Sequence, residues 1–244
     1  MPSRLQLLCP AVTAWLLTGA AMAIDTRPPE PPEPSGKIII VRDTITLDRR
    51  NTTYDYEGAT LVWKGAGDCS QKEGMPPIFR INGSGITVKN ATIEGAPDGI
   101  HINAARVTLE NIIFPDICED AVTMREGARW ARIRGCYFAK AEDKAIQCSY
   151  GHGHRVYDNI FVGVKFAFRS KAGVTASFYR NRVYHAGGAV RADGRGSNTK
   201  TWGNTFIFVK DPYQPLDKAI IRQLGEDMQV KSRPAKEAAA GQSR

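Results

Sequence analysis

Six side chains in the middle of this chain carry charges at a spacing that suits chemistry. Asp98, Asp120 and Lys144 hold the first place, and Arg169 the fourth, of a short motif that returns along the sequence. Glu119 adjoins Asp120, and Arg125 follows the second copy directly. The copies begin at Asp98, Asp120, Lys144, Phe166 and Gly188, in steps of 22, 24, 22 and 22 residues. A small residue holds the second place of every copy and an apolar one the third. The first and fourth places change from copy to copy, so a site can be built there. Stacked carboxylates with a third beside them are unfavourable alone; either one takes a proton or a cation binds. Carboxylate oxygens at this spacing suit a hard cation, calcium in an exported protein. The competing reading is an ion network in which Lys144 and Arg169 simply neutralise the acids.

The element that must gather these residues follows from the period. Self-similarity every 22 to 24 residues marks a solenoid, in which one repeat cannot bury its apolar face and a stack can. A second ladder, Asn90, Asn111, Gly135, Asn159, Asn181 and Asn204, follows apolar-alternating runs at a similar interval. Asn and Gly tolerate a left-handed backbone, so the ladder predicts a bend in each coil. The repeat is too short for a helix in every crossover. The expected fold is all-β, a right-handed single-stranded parallel β-helix of about seven coils, the hand being the usual one for parallel connections. Equivalent residues then form columns about 4.8 Å apart. Strict alternation cannot put Asp98 outside while Ile100 points inward, so a bend beside Gly99, Ala121, Ala145, Ala167 and Ala189 is required.

The flanks are different in kind. Residues 1–23 read as a signal peptide, with Arg4, an apolar stretch and Ala21-Met22-Ala23 as a cleavage signal. Residues 24–36 form a proline-rich linker, 37–228 the β-helix domain and 229–244 a loose tail. Asp217 to Met228 reads as a helix (Ile220, Ile221, Leu224) that caps the open end. The net charge is +8 at pH 7, or +7 once Arg4 leaves with the leader. No basic run or basic-aromatic alternation points to nucleic acid, whereas a polyanionic extracellular substrate fits. A membrane role ends with removal of the leader, and the expected product is a secreted monomer. Cys69, Cys118, Cys136 and Cys148 remain after export and allow three pairings, with a buried free thiol at Cys148 as an alternative. Trp63, Trp130 and Trp202 read as coil packing, Trp63 being best placed to reach a sugar. His152 and His154 read as a surface turn.

Five stretches in register carry a family likeness. They are Gly67-Asp68-Cys69-Ser70-Gln71-Lys72-Glu73-Gly74, Ala96-Pro97-Asp98-Gly99-Ile100-His101, Cys118-Glu119-Asp120-Ala121-Val122-Thr123, Glu142-Asp143-Lys144-Ala145-Ile146-Gln147 and Phe168-Arg169-Ser170. From about Lys37 to Gly173 the chain resembles the pectate lyases of polysaccharide lyase family three. The resemblance implies a secreted, calcium-dependent lyase that cleaves polygalacturonate by β-elimination. It places calcium on Asp98, Glu119 and Asp120 and the basic catalytic pair on Lys144 and Arg169. Arg125 stands where the family usually has a substrate-binding lysine, a planar fork in place of a point charge. The residue types favour Lys144 as the base and Arg169 as the group holding the substrate carboxylate, with the reverse assignment open. Two rival readings are a polygalacturonase-type hydrolase, for which Gly151-His152-Gly153 is the sole local match, and a non-catalytic polysaccharide-binding β-helix.

Overall fold

Every coil has to satisfy its backbone on the coils above and below, so the short strands pair in parallel along the whole stack. The structure, a computed structural model, describes residues 25–66, 76–225 and 227–230. The described residues form strands and turns without a helix, so none is long and apolar enough to cross a membrane. Eight strands, Ile45–Leu47, Pro77–Ile81, Asp98–Ile102, Asp120–Met124, Lys144–Cys148, Phe166–Ser170, Gly188–Asp193 and Asp211–Leu216, make one sheet in sequence order. The other flanks of each coil belong to a 14-stranded sheet. The fold is the expected parallel β-solenoid, with about one coil more than the repeat count suggested. The leader and the motif Gly67–Gly74, with Cys69, lie outside the described residues.

The bend required by the repeat is present. Along the eight-stranded sheet the pairing skips the second place, joining Lys144 to Asp120 and Ile146 to Val122, and likewise Lys144 to Phe166 and Ile146 to Phe168. Second and third places both face inward, so Ala121, Ala145, Ala167 and Ala189 are fully buried together with Ile100, Val122 and Ile146. The second place admits nothing large. A Cβ on Gly99 would stand 2.3 Å from the Ala121 carbonyl oxygen and 2.9 Å from the Phe114 ring. The first and fourth places are thereby turned to one outer face. Inside, Phe138 stacks between Phe114 and Phe161 at centroid distances of 4.9 and 4.8 Å. Such offset ring stacks add to the burial of large side chains that holds one coil on the next.

The asparagine ladder divides into two devices. Asn90, Asn111 and Gly135 take the left-handed conformation, at φ of 55°, 54° and 63°. In the next three coils that conformation falls one residue earlier, on Asp158, Arg180 and Gly203. Asn159, Asn181 and Asn204 instead turn inward and are buried. Each amide donates to the next one's oxygen, Asn159 to Asn181 at 3.0 Å and Asn181 to Asn204 at 3.2 Å.

The C-terminal expectation is corrected. The stretch read as a capping helix forms strands Ile220–Gln223 and Met228–Val230, which pair with Asn198–Trp202 and Thr205–Ile207. Ile220 and Ile221 are β-branched, and the open edge of the previous coil offers them a ladder, which outweighs a weak helical pattern. The last strand also crosses the boundary drawn at residue 228. Two side chains differ as well. Trp63 is buried, and among the described residues Trp130 is the exposed tryptophan, at 46%. Cys118 is disulfide-bonded while Cys136 and Cys148 are free and buried.

His154 is not in a surface turn; it is buried. Its Nδ1 accepts from the Ala131 N–H at 3.3 Å, and its Nε2–H donates to the Tyr150 carbonyl at 2.9 Å. Burial holds its pKa down at about 4. The unfolded imidazole binds a proton from about pH 6.5 downward, whereas the folded one resists until about pH 4. Stability is therefore fully present above pH 6.5 and declines as the pH falls towards 4. The expected loss is about 2–3 kcal/mol over that window. Urea unfolding from pH 7 to 4 should show it, and a His154→Asn variant should show a shallower fall. Parallel curves for the two proteins would rule this source out.

Candidate active site

The outer face of the eight-stranded sheet gathers the charged places of four coils. Asp120 pairs in register with Lys144, and Gln147 with Arg169. Asp98, Glu119, Asp120, Asp143, Lys144 and Arg169 all line one groove of about 550 Å³, together with Arg125 and Lys171. A second hollow of about 730 Å³ shares Thr123, Arg125, Gln147 and Lys171 and prolongs the groove towards Tyr150. Every site residue expected from the sequence is thus on one face.

The acid side of the groove has an order the sequence did not reveal. Glu119, Asp120 and Asp143 each bring a carboxylate oxygen within 4.8 Å of the others. Asp143 enters this cluster because it directly precedes Lys144 at the strand start. Asp98 faces elsewhere: its Oδ2 meets His101 Nε2 at 2.8 Å, and its Oδ1 accepts from the Asp120 N–H at 3.2 Å. Asp98 therefore braces the backbone under Asp120. Asp120 is 5% exposed, and burial pushes its carboxyl up to about 6, with Asp98 and Glu119 adding to the rise against the opposing pull of Lys144. Its Oδ2 accepts from the Thr123 hydroxyl at 3.3 Å, but its Oδ1 is buried and makes no hydrogen bond among the described residues. A buried carboxylate oxygen that makes no hydrogen bond, beside two further acids, fits a hard, oxygen-seeking cation such as calcium. The donor set passes that test.

The basic side is arranged around Lys144 and Arg169. Lys144 is 9% exposed; its Nζ touches Asp143 and lies 3.8 Å from Asp120 Oδ1. Burial pushes its pKa below the usual lysine value; Arg169 and Lys171 push the same way, while Asp120 and Glu119 oppose them. Arg169 is held by Asp193, 2.5 Å from its Nε, and by Gln147 at 3.4 Å. Arg191 Nε donates to the other Asp193 oxygen at 2.8 Å. Asp193 was missed in the sequence, although it stands at the sixth place of its coil, in the column of Arg125 and Lys171. His101 was missed likewise, at the fourth place in the column of Arg169.

Chemically, the face offers a cation site, an amine with a depressed pKa and a fixed guanidinium, in that order along the stack. It suits removal of a proton from a carbon next to a carboxylate, with the negative charge compensated from both sides.

Comparison with known proteins bears on the family and the fold. A family model described as "Pectate lyase" matches residues 30–182. A relative named "Probable pectate lyase E", from Neosartorya fischeri, is 32% identical over 108 residues, which are 42% of this chain and 41% of that protein. The match spans less than half of that relative. Among solved structures, sacteLam55A from Streptomyces sp. SirexAA-E superposes with a TM-score of 0.57 at 11% identity, over 79% of this chain and 46% of that one. Endopolygalacturonase I from Stereum purpureum gives 0.53 at 14% identity, over 80% and 93%. Identities this low establish a shared fold only.

Proposed function

The chain belongs to the pectate lyase family, and on that premise we propose that it is a secreted, calcium-dependent lyase that cleaves polygalacturonate by β-elimination. The observation that carries the reading is the position of Lys144, between an acid cluster in which Asp120 Oδ1 makes no hydrogen bond and the fixed guanidinium of Arg169. Calcium, held by Glu119, Asp120 and Asp143 with Asp98 behind them, would supply positive charge to the uronate carboxylate and so acidify the C5 proton.

The remaining work falls to the chain. Arg169 holds the substrate carboxylate in a two-pronged grip, for which Asp193 fixes the guanidinium plane. Arg125 and Lys171 attract neighbouring carboxylates along the groove. Lys144, in its neutral form, takes the C5 proton. The C5–H electron pair becomes the C4–C5 double bond, the C4–O4 bond breaks, and O4 leaves with a proton from solvent. A neutral amine is needed, so turnover rises with pH until Lys144 is deprotonated. Its depressed pKa brings that limit closer to neutrality. Arg169 is the poorer base, because a guanidinium keeps its proton up to a pKa above about 12.

Export is supported by the leader pattern at residues 1–23 and by the disulfide at Cys118. A hydrolase of the polygalacturonase type requires two carboxylates across the scissile bond, one as acid and one as base. Here the acids are gathered at one side of the groove, and the groups that follow them along the stack are the basic Lys144 and Arg169. The product separates the two readings. Each elimination leaves one fragment with a new unsaturated end and one with an ordinary reducing end, with no water added. Hydrolysis adds one water per cut, and mass spectrometry of the digest reads the difference.

A further inference from the structure

The 14-stranded sheet carries a second groove, of about 260 Å³, whose residues include Arg106, Trp130, Arg132, Gly153 and Arg155. It lies on a different sheet from the catalytic strands, beyond the turn that follows Arg125. Arg132 and Arg155 are cross-strand partners in register on adjacent coils, and both are exposed. Like charges directly opposite each other are destabilising. Neither forms an ion pair among the described residues, whereas the neighbouring Arg134 is matched by Glu110 at 2.8 Å. This pair therefore suits an anion from outside.

The groove also presents an exposed aromatic ring, set in place by the bend that leads into it. The bend that leads into these strands takes a left-handed backbone along the whole column, on Asn51 and Gly85 at one end and on Gly153 at the other. Between them the same conformation is held by Arg106 at φ 57° and Trp130 at φ 52°, where glycine would be unstrained. Trp130 is exposed, with its ring edge-on to His152 at 5.1 Å and the Arg129 guanidinium 5.9 Å from its centroid. The ring lies over Gly153, where a Cβ would come within 2.4 Å of it. A wide aromatic beside two unmatched guanidinium groups matches the two faces of a uronan, a ring surface and a row of carboxylates.

We propose that this groove is a second, non-catalytic site for an acidic polysaccharide, in which Arg132 and Arg155 pair with successive carboxylates and Trp130 packs on a sugar ring. Its polyanionic ligand follows from the groove itself; the choice of galacturonan rests on the proposed activity. The site holds a long chain on the enzyme while the catalytic face works on another stretch of it.

The test uses replacements that the columns themselves contain. Ser177 continues the arginine column, so Arg132→Ser with Arg155→Ser keeps the sheet. Gly153 continues the bend column, so Trp130→Gly relaxes the backbone. Binding to immobilised polygalacturonate is measured with chelator present, and turnover is measured on a short soluble galacturonate oligomer with calcium. Each variant should bind the polymer about tenfold or more weakly, the order expected for one or two lost charge-assisted contacts. Oligomer turnover should stay within about twofold of the parent. Unchanged polymer binding overturns the proposal, and so does an equal loss of polymer binding and oligomer turnover. Equal binding of the parent to dextran sulfate and polygalacturonate, lost alike in the variants, would overturn the uronan assignment. A parent that binds the polymer but never yields an unsaturated product would sink the lyase reading and leave the groove standing.

Discussion

Replacing Lys144 with alanine is expected to lower polygalacturonate turnover by about a thousandfold, with calcium binding retained. A positioned general base contributes about 10²–10⁴ in rate, and loss of a cation beside the developing charge adds to that. Among the described residues no other amine is as deep on this face: Lys165 is exposed and pairs with Asp143 at 3.2 Å. Lys171 lines the groove further along. The acids do not need Lys144 to stay in place, because Asp98 bonds the Asp120 backbone and Thr123 bonds its side chain. The variant should therefore fold and bind calcium at least as well, since a competing positive charge has gone. Steady-state assays on polygalacturonate, paired with calcium titration calorimetry, check both halves. Turnover within tenfold of the parent would remove Lys144 as the base and pass the role to Arg169.

Asn181→Ala should destabilise the fold by about 3–5 kcal/mol. The Asn181 side-chain oxygen accepts from both the backbone N–H and the amide of Asn159, each at 3.0 Å. Its amide donates to the Val156 carbonyl at 3.0 Å and to Asn204 at 3.2 Å. The residue is fully buried, so truncation leaves two or three polar groups unpaired, at about 1–3 kcal/mol each. Neighbouring amides polarise one another along the ladder, which raises the effect of a break in its middle. Chemical denaturation is the measure. A change below about 1 kcal/mol would mean that water enters and restores the bonds.

These two residues also mark what can be read from a linear sequence and what cannot. The column of Asp98, Asp120 and Lys144 was legible because a solenoid converts sequence period into spatial neighbourhood, and the small second place revealed the period. The inward ladder was only half legible. Asparagine suits both a left-handed bend and a buried amide stack, and the choice depends on whether the residue before it takes the bend, as Asp158 and Arg180 do. The final coil was misread for a related reason. Ile220, Ile221 and Leu224 fit one face of a helix, and only the unpaired edge of the preceding coil draws Ile220 and Ile221 into a strand. Asp143 and Asp193 were hidden because their roles depend on side-chain direction, Asp143 turning into the acid cluster and Asp193 gripping Arg169 from the next coil. Trp130 was hidden because its exposure follows from the bend that holds it.

The central claim is that this face performs calcium-dependent elimination on a uronan. The most direct test is the ultraviolet absorbance of the conjugated 4,5-unsaturated uronate, followed continuously on polygalacturonate with calcium and again with excess chelator. The account predicts a steady rise with calcium, none with chelator, and recovery when calcium is restored. New reducing ends without that absorbance, or a rise that chelator leaves untouched, would contradict it.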